Sequence, residues 1–172
     1  MSPEPTQTRN TSFLVTLAAT TLALAVVPVA GGTAQGTTAR DSVRAVADGI
    51  IAADNRRDIE AVLSSYTRDA VLLPPNDEPV VGHDAIRPRY EMLFRTTIPA
   101  IQSELAEVQV EGAWAFVRGR NTGFMRPIAR GQPERPLNDL FLMVLHRDAD
   151  GRWRIARLMW HSGAPSSSAP PR

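Results

Sequence analysis

The sequence lacks cysteine and lysine and has few histidines. Its 172 residues contain no cysteine, which excludes a disulfide framework, a thiolate nucleophile and a cysteine-based metal site. All 19 basic residues are arginine, a bias that we attribute to GC-rich codons and not to a binding function. The three histidines, His83, His146 and His161, do not have the spacing of metal ligands, so we expect no metal site.

Two further absences narrow the function. The formal net charge is only +1, which argues against a nucleic-acid partner bound by bulk electrostatics. The sequence has no glycine-rich phosphate loop in its folded part and no G-x-S-x-G nucleophile motif, so we expect no cofactor and no serine hydrolase chemistry. Hydrophobic residues make up 43% of the chain, which is enough for the core of one domain with extensions.

The N-terminal segment has the order of a secretory signal. Arg9 precedes an apolar run over residues 13–30, Pro28 interrupts this run, and small residues follow it. The order predicts a signal peptide over residues 1–34, cleaved after Ala34, and hence a periplasmic or secreted protein. An uncleaved single-span anchor is the alternative, because the run borders on the minimum spanning length.

Two polar segments bound the expected domain. Residues 35–40 are predicted to be a linker, and residues 164–172, which are Ala, Pro and Ser with one Arg, a disordered tail. The folded domain is therefore expected over residues 41–163, and no stable membrane anchor is expected after cleavage.

The apolar spacing within this domain predicts helices first and long strands last. Apolar residues recur at three- and four-residue steps in three segments, which we interpret as helices starting near Asp41 or Ser42, at Asp58 and near His83. Pro88 implies that the third helix either starts later or is kinked. Strands are predicted over residues 70–73, 80–81, 104–110, 113–125, 137–147 and 152–162. This order is typical of an α+β fold with helices gathered on one face of a sheet.

The last two strands form a predicted hairpin around Asp150 and Gly151. With a two- or four-residue loop, Asp139 shares one face of the hairpin with Trp160, while His161 lies on the other face. A bulged three-residue loop would reverse this assignment.

Three segments resemble the SnoaL-like group of the nuclear transport factor 2-like superfamily. They are DIEAVLSSYTRDAV over residues 58–71, GHDAI over residues 82–86 and DGRWRIARLMW over residues 150–160. The resemblance implies a cone-shaped, strongly curved antiparallel sheet wrapped around about three N-terminal helices, with a pocket between them. It also implies a homodimer formed through the outer face of the sheet. The superfamily includes ketosteroid isomerase, polyketide cyclases, dehydratases and non-catalytic binding domains, so the fold alone does not define the function.

The candidate catalytic residues are Asp139 and His161. The position of the ketosteroid isomerase base falls on Pro74, which has no proton chemistry, so steroid isomerisation is not expected. Asp139 is an isolated carboxylate among apolar residues beside Trp160 and is a candidate acid or base, although it could equally be exposed or ion-paired. His161, beside Asn138, is a second candidate, with a surface position as the alternative.

The candidate ligand-binding residues are Tyr66, Trp114, Asn121 and Trp160. The two tryptophans are expected to form the pocket wall, and Tyr66 and Asn121 to donate hydrogen bonds to a ligand carbonyl. Alternatively, Tyr66 fills the core while its hydroxyl finds one partner. We therefore expect an exported domain that binds a small, mostly apolar molecule and catalyses isomerisation, cyclisation or dehydration. A non-catalytic ligand-binding or homodimerisation module is the alternative.

Overall fold

The computed structural model describes residues 32–163, with side chains from residue 39 onward. The predicted tail and all but the last three residues of the predicted signal peptide lie outside this range. None of the helices within residues 32–163 is long and apolar enough to cross a bilayer. The helices of this range are α1 (Gly32–Arg56), α2 (Ile59–Ser64) and α3 (His83–Thr96). The strands are β1 (Tyr66–Leu73), β2 (Val80–Val81), β3 (Thr97–Glu111), β4 (Trp114–Pro127), β5 (Arg135–Arg147) and β6 (Trp153–Ser162).

The strands form one curved, open sheet in the order β2-β1-β6-β5-β4-β3. The α+β architecture with N-terminal helices followed by a curved sheet is confirmed. The sheet is mixed and not wholly antiparallel as expected, because β1 pairs in parallel with β6. This pairing starts where α2 ends, since the amide of Ile155 donates to the carbonyl of Ser65 at 2.8 Å. The chain thus enters the sheet beside its last strand and in the same direction.

Helix α1 ends in a motif that involves its last turn and the first residues after it. Arg57 adopts a left-handed conformation, with φ of 57°. Its amide donates to the carbonyl of Asp54, and the amide of Asp58 donates to that of Ala53. These are the two bonds of a Schellman motif, which satisfies carbonyl groups at a helix end. Asp58 then caps α2 by accepting from the amide of Ala61 at 3.0 Å.

Side-chain hydrogen bonds attach both ends of the described part of α1 to β3. Arg40 donates from Nε and Nη2 to the carbonyl of Val108, at 3.1 and 2.6 Å. Asn55 accepts from the amide of Ile101 and donates to its carbonyl, both at 2.8 Å. The helix begins before the expected caps at Asp41 and Ser42, and it lies across β3 in a fixed position.

Helix α3 starts at His83, as predicted, and includes Pro88, so the alternative of a later start is wrong. Pro88 is exposed, and the carbonyl group that loses a helical partner there, that of Asp84, can be solvated.

The hairpin of β5 and β6 has the predicted faces in its distal half. Phe141 lies opposite Trp160, and Met143 lies opposite Leu158, so Asp139 and Trp160 share one face as predicted. The register changes between Val144 and Leu145, where β6 carries an extra residue, so the alternation expected from a two- or four-residue loop does not hold nearer the turn. A bulge of this kind shifts the alternation of side chains along one strand.

The core lies between the helices and the concave face of the sheet. Its largest fully buried side chains come from every layer: Tyr66, Ile50, Leu72, Ile86, Met143, Leu145, Ile155, Val43, Val62, Val108 and Val117.

Candidate functional site

A cavity of about 640 Å³ lies between α1, α3 and the concave face of the sheet. A volume of this size suits a small organic ligand. Apolar side chains form most of its wall, among them Ile50, Ile51, Leu72, Phe141, Met143 and Trp160. Its polar groups are in the minority, and they come from three places: the wall formed by β4 and β5, the last turn of α1, and α3 with the residue that follows it.

On the sheet, three polar side chains form a row that crosses three neighbouring strands, and we call them the polar row. Asn121 on β4 lies directly opposite Ser103 on β3 and Asp139 on β5, so the three side chains share one face of the sheet. Asn121 and Asp139 line the cavity. Within the described part of the chain, Asn121 Oδ1 and Ser103 Oγ are buried and have no hydrogen-bond partner. Such groups cost free energy unless a ligand or a water molecule satisfies them.

The polar group on the helix is Asp54. Its side chain lines the same cavity, and its Oδ1 is buried with no hydrogen-bond partner among residues 39–163. Burial raises the pKa of this carboxyl to about 7 from its ordinary value of 3.8. Asp54 can therefore carry a proton in neutral solution, which an exposed aspartate does not.

Two tyrosines adjoin Asp54. The hydroxyl oxygens of Tyr66 and Tyr90 lie 3.1 Å apart, and both side chains are buried. Burial raises the pKa of each hydroxyl above its ordinary value, so both remain protonated at neutral pH. Tyr90 lines the cavity, whereas Tyr66 is not among the residues that line it. Tyr66 thus fills the core while its hydroxyl has one partner, Tyr90, as the alternative interpretation predicts.

The sequence-predicted residues fall into two groups. Asp139, Asn121 and Trp160 come together at the cavity wall, and Asp139 is half-buried there. Trp114 and His161 lie outside the lining. Trp114 is 51% exposed and packs on His146, with ring centroids 4.4 Å apart.

The placement of His161 follows from strand alternation. It lies opposite Leu140, on the face that does not meet the cavity, and its Nδ1 is 3.2 Å from the carbonyl oxygen of Ser162. Asn138, expected beside it, accepts from Arg120. The alternation of residues in the sequence could not show which of the two faces is the concave one. Trp114 is exposed for the same reason, because it lies next to buried Ala115 and therefore on the opposite face of β4.

Sequence reasoning missed Asp54 and Tyr90. A signal for Asp54 is present, because it continues the inward-facing series of Val43, Ala47 and Ile50 at steps of four, three and four residues. A carboxylate on the apolar stripe of a helix is unusual, since burying it unpaired costs several kcal/mol.

Within residues 32–163, no three His, Asp or Glu side chains lie close enough together to hold a metal ion. A second concave surface of about 670 Å³ is lined by small side chains of α1, the start of β6, Arg147 and Arg152. It contains no carboxylate, and the polar row is not part of it.

The fold is that of the cone-shaped nuclear transport factor 2-like class. The chain matches the model of the SnoaL-like domain over residues 47–157, and it belongs to this family. No match was found among curated proteins.

Solved structures of the same fold include the following three. A ketosteroid isomerase-like protein from Erwinia carotovora atroseptica is 33% identical, with a TM-score of 0.68 over 73% of this chain and 97% of that chain. A candidate scytalone dehydratase from Novosphingobium aromaticivorans is 12% identical, with a TM-score of 0.67 over 77% and 89% of the two chains. A candidate dehydratase from Streptomyces avermitilis is 19% identical, with a TM-score of 0.63 over 75% and 99%. The last two similarities support the fold alone.

Proposed function

We propose that this domain binds a small, mostly apolar molecule in its cavity and catalyses a cofactor-free proton transfer on it, such as an isomerisation, cyclisation or dehydration. The observation that carries the proposal is the apolar cavity of about 640 Å³ with Asn121 and Asp139 side by side on its wall. The name of the ketosteroid isomerase-like protein, which is 33% identical to this chain, supports this reaction class.

The roles follow from the chemistry of each group. Asp139, when ionised, accepts a proton from the substrate, which requires the two to approach within hydrogen-bonding distance. Asn121 Oδ1 accepts a hydrogen bond from a substrate hydroxyl, which removes the cost of its unpaired state. Trp160 and Phe141, which lie opposite each other, form an apolar surface that orients the substrate.

Native mass spectrometry of the purified protein tests for a co-purified small molecule, which then serves as the lead to a substrate. With a substrate in hand, Asp139→Asn should lower kcat by about 100-fold or more. His161→Ala, which changes an exposed side chain outside the cavity, should leave kcat within about twofold. Equal turnover by wild type and Asp139→Asn would refute the role of Asp139, and a requirement for His161 would relocate the site.

We further propose that a second copy of the chain covers the outer face of the sheet. Apolar side chains of this face include Phe116, which is 36% exposed, Met159, which is 47% exposed, and the half-buried Leu142. Leu142 lies opposite Met159, and Val144, two residues further along β5 on the same face, lies opposite Phe116, so these apolar side chains are neighbours, with Arg118 opposite Leu142 on the other side. A copy related by a twofold axis presents the same strip and buries it.

Sedimentation velocity tests this interface. Leu142→Arg should convert a dimer to a monomer, because it places charge at the centre of the strip. Glu91→Arg, an exposed change on α3, is the matched control and should leave the dimer intact. A monomeric wild type at micromolar concentration would end the proposal.

Export is also proposed, on the basis of the N-terminal apolar run. Cleavage after Ala34 would fall within the first turn of α1, which starts at Gly32. The intact mass of protein recovered from the periplasm or medium would show a start at Gln35. A full-length, membrane-associated product would support the uncleaved anchor instead.

A further inference from the structure

Asp54 lies in the cavity with one carboxyl oxygen buried, and the proposed proton transfer has no role for it. It comes from α1, whereas Asn121 and Asp139 come from the sheet, so it faces the ligand space from a different wall. Its Oδ1 is buried with no partner within residues 39–163. A carboxyl oxygen that is buried without a partner costs free energy, and a hydrogen bond with a ligand would compensate for that cost.

The backbone around Asp54 is fixed by its neighbours. The carbonyl of Asp54 accepts from Arg57, and the adjacent Asn55 forms two hydrogen bonds with the backbone of Ile101 at 2.8 Å. These contacts hold the last turn of α1 against β3. The side chain is thereby held in the cavity and is not free to follow a fraying helix end into solvent.

The surroundings of Asp54 favour its neutral form. Tyr66 on β1 and Tyr90 on α3 are uncharged at neutral pH, because burial raises the pKa of both. Among the cavity-lining charged residues, Arg89 on α3 is paired with Asp77 at 2.9 Å. Two further charged residues line the cavity from β5, the exposed Arg135 and the half-buried Asp139.

None of these groups outweighs burial, which raises the pKa of Asp54 to about 7. Below that pH the carboxyl group has a proton to donate.

We propose that Asp54 is a specificity-determining residue, whose neutral carboxyl group donates a hydrogen bond to an acceptor oxygen, such as a carbonyl, on the cavity ligand. The inference rests on the proposed ligand-binding function and adds its chemical selectivity. An apolar ligand with a carbonyl oxygen is bound in preference to a hydrocarbon of the same shape. The preference is lost when Asp54 ionises, because a carboxylate cannot donate and repels the oxygen.

Equilibrium dialysis with a matched pair of probes tests the proposal. The probes are 2-acetylnaphthalene, which has the carbonyl, and 2-ethylnaphthalene, which has nearly the same shape without it. At pH 5.5 the wild type should bind the ketone about tenfold more tightly than the hydrocarbon, as expected for one buried hydrogen bond. At pH 8.5 this ratio should fall to about one, while the affinity for the hydrocarbon changes little.

Two variants and a control separate donation from shape. Asp54→Asn retains a donor at every pH and should keep the preference at both pH values. Asp54→Leu has no donor and should bind the two probes equally at both pH values. Asp48→Asn, which changes an exposed aspartate on the same helix, should behave as the wild type.

Infrared difference spectroscopy supplies an independent readout on folded wild type. The protonated carboxyl band absent from Asp54→Asn should titrate near pH 7. By linkage, a tenfold preference of the ketone for the protonated form raises this midpoint by about one pH unit, and the hydrocarbon leaves it unchanged.

A ketone preference that survives in Asp54→Leu, or that does not change with pH in the wild type, would overturn the role of Asp54 while leaving ligand binding in place. An unchanged infrared midpoint with bound ketone would do the same. Failure of the wild type and all variants to bind either probe would count against the ligand-binding function itself.

Discussion

Replacement of Asp54 by asparagine should remove a large pH dependence from the stability of the domain. The folded state holds a proton on this carboxyl up to about pH 7, whereas the unfolded chain releases it near 3.8. In the interval between these values the folded state binds more protons than the unfolded state. The free energy of unfolding therefore falls as the pH rises from about 4 to about 7, and Asp54 contributes no further change above that.

The magnitude follows from the two pKa values. The difference between 3.8 and about 7, at about 1.4 kcal/mol for each pKa unit, amounts to about 4 kcal/mol in total. About 3 kcal/mol of this loss falls between pH 5 and pH 8.5. Because a domain of this size is stable by only about 5–15 kcal/mol, the effect should be plain in denaturation curves.

The assay is urea denaturation at constant ionic strength, followed by tryptophan fluorescence, at half-unit steps from pH 5 to pH 8.5. The stability of Asp54→Asn relative to wild type should rise by about 3 kcal/mol across this range. Carboxyl groups with lowered pKa, such as Asp77 beside Arg89, give the opposite slope, but they are common to both proteins and cancel. Parallel curves for the two proteins would refute a buried, neutral Asp54, and Asp48→Asn should match the wild type.

Three further contacts of the fold are tested by substitution in the same denaturation assay. Asn55→Leu removes both hydrogen bonds to the backbone of Ile101 and should cost about 1–3 kcal/mol, whereas a loss below about 0.3 kcal/mol would show that the contact is not formed in solution. Gly119→Ala places a Cβ 2.4 Å from a β3 carbonyl oxygen and 2.6 Å from a β5 phenyl ring, so it should lower the free energy of unfolding by several kcal/mol. Gly49→Ala has open space around it and should stabilise its helix by up to about 1 kcal/mol. Equal effects of the two glycine substitutions would contradict the close strand approach. Asp58→Ala removes the cap of α2 and should cost about 1 kcal/mol, with Asp58→Ser recovering most of it.

The fold could be predicted largely from local patterns. Apolar alternation is a property of each strand by itself, and the long strands and the three helices were therefore recognisable. The parallel pairing of β1 with β6 has no such local signal, because it depends on where the short α2 delivers the chain. The early start of α1 was missed because Asp41 and Ser42 are good capping residues that the helix does not use as caps.

The hairpin shows why part of the site could be predicted correctly. The loop between β5 and β6 spans residues 148–152, an odd number and not the expected two or four. The extra residue in β6 compensates for this odd number, so that from Val144 to the end of the hairpin farther from the loop the side chains alternate as they would after an even-numbered loop. Asp139 and Trp160 therefore share the predicted face for a reason that the sequence does not reveal.

The rest of the site depends on long-range geometry. Whether Trp160 or His161 faces the cavity depends on the direction in which the sheet curves. Asp54 becomes a site residue only because the end of α1 lines the same cavity as Asn121 and Asp139. Its i, i+3, i+4 spacing was visible, but burial without a partner is a property of the assembled fold.

The attachment of α1 to β3 also bears on the solubility of the protein. Strand β3 is fifteen residues long and forms an edge of the sheet, and a long edge invites pairing with a strand from another molecule. Asn55 occupies both backbone groups of Ile101, and Arg40 occupies the carbonyl of Val108. The helix thus shields the edge at two points seven residues apart. Loss of both contacts would leave the edge of β3 open to intermolecular β-pairing. We therefore expect a variant in which both Arg40 and Asn55 are replaced to aggregate on mild heating, well before the domain unfolds.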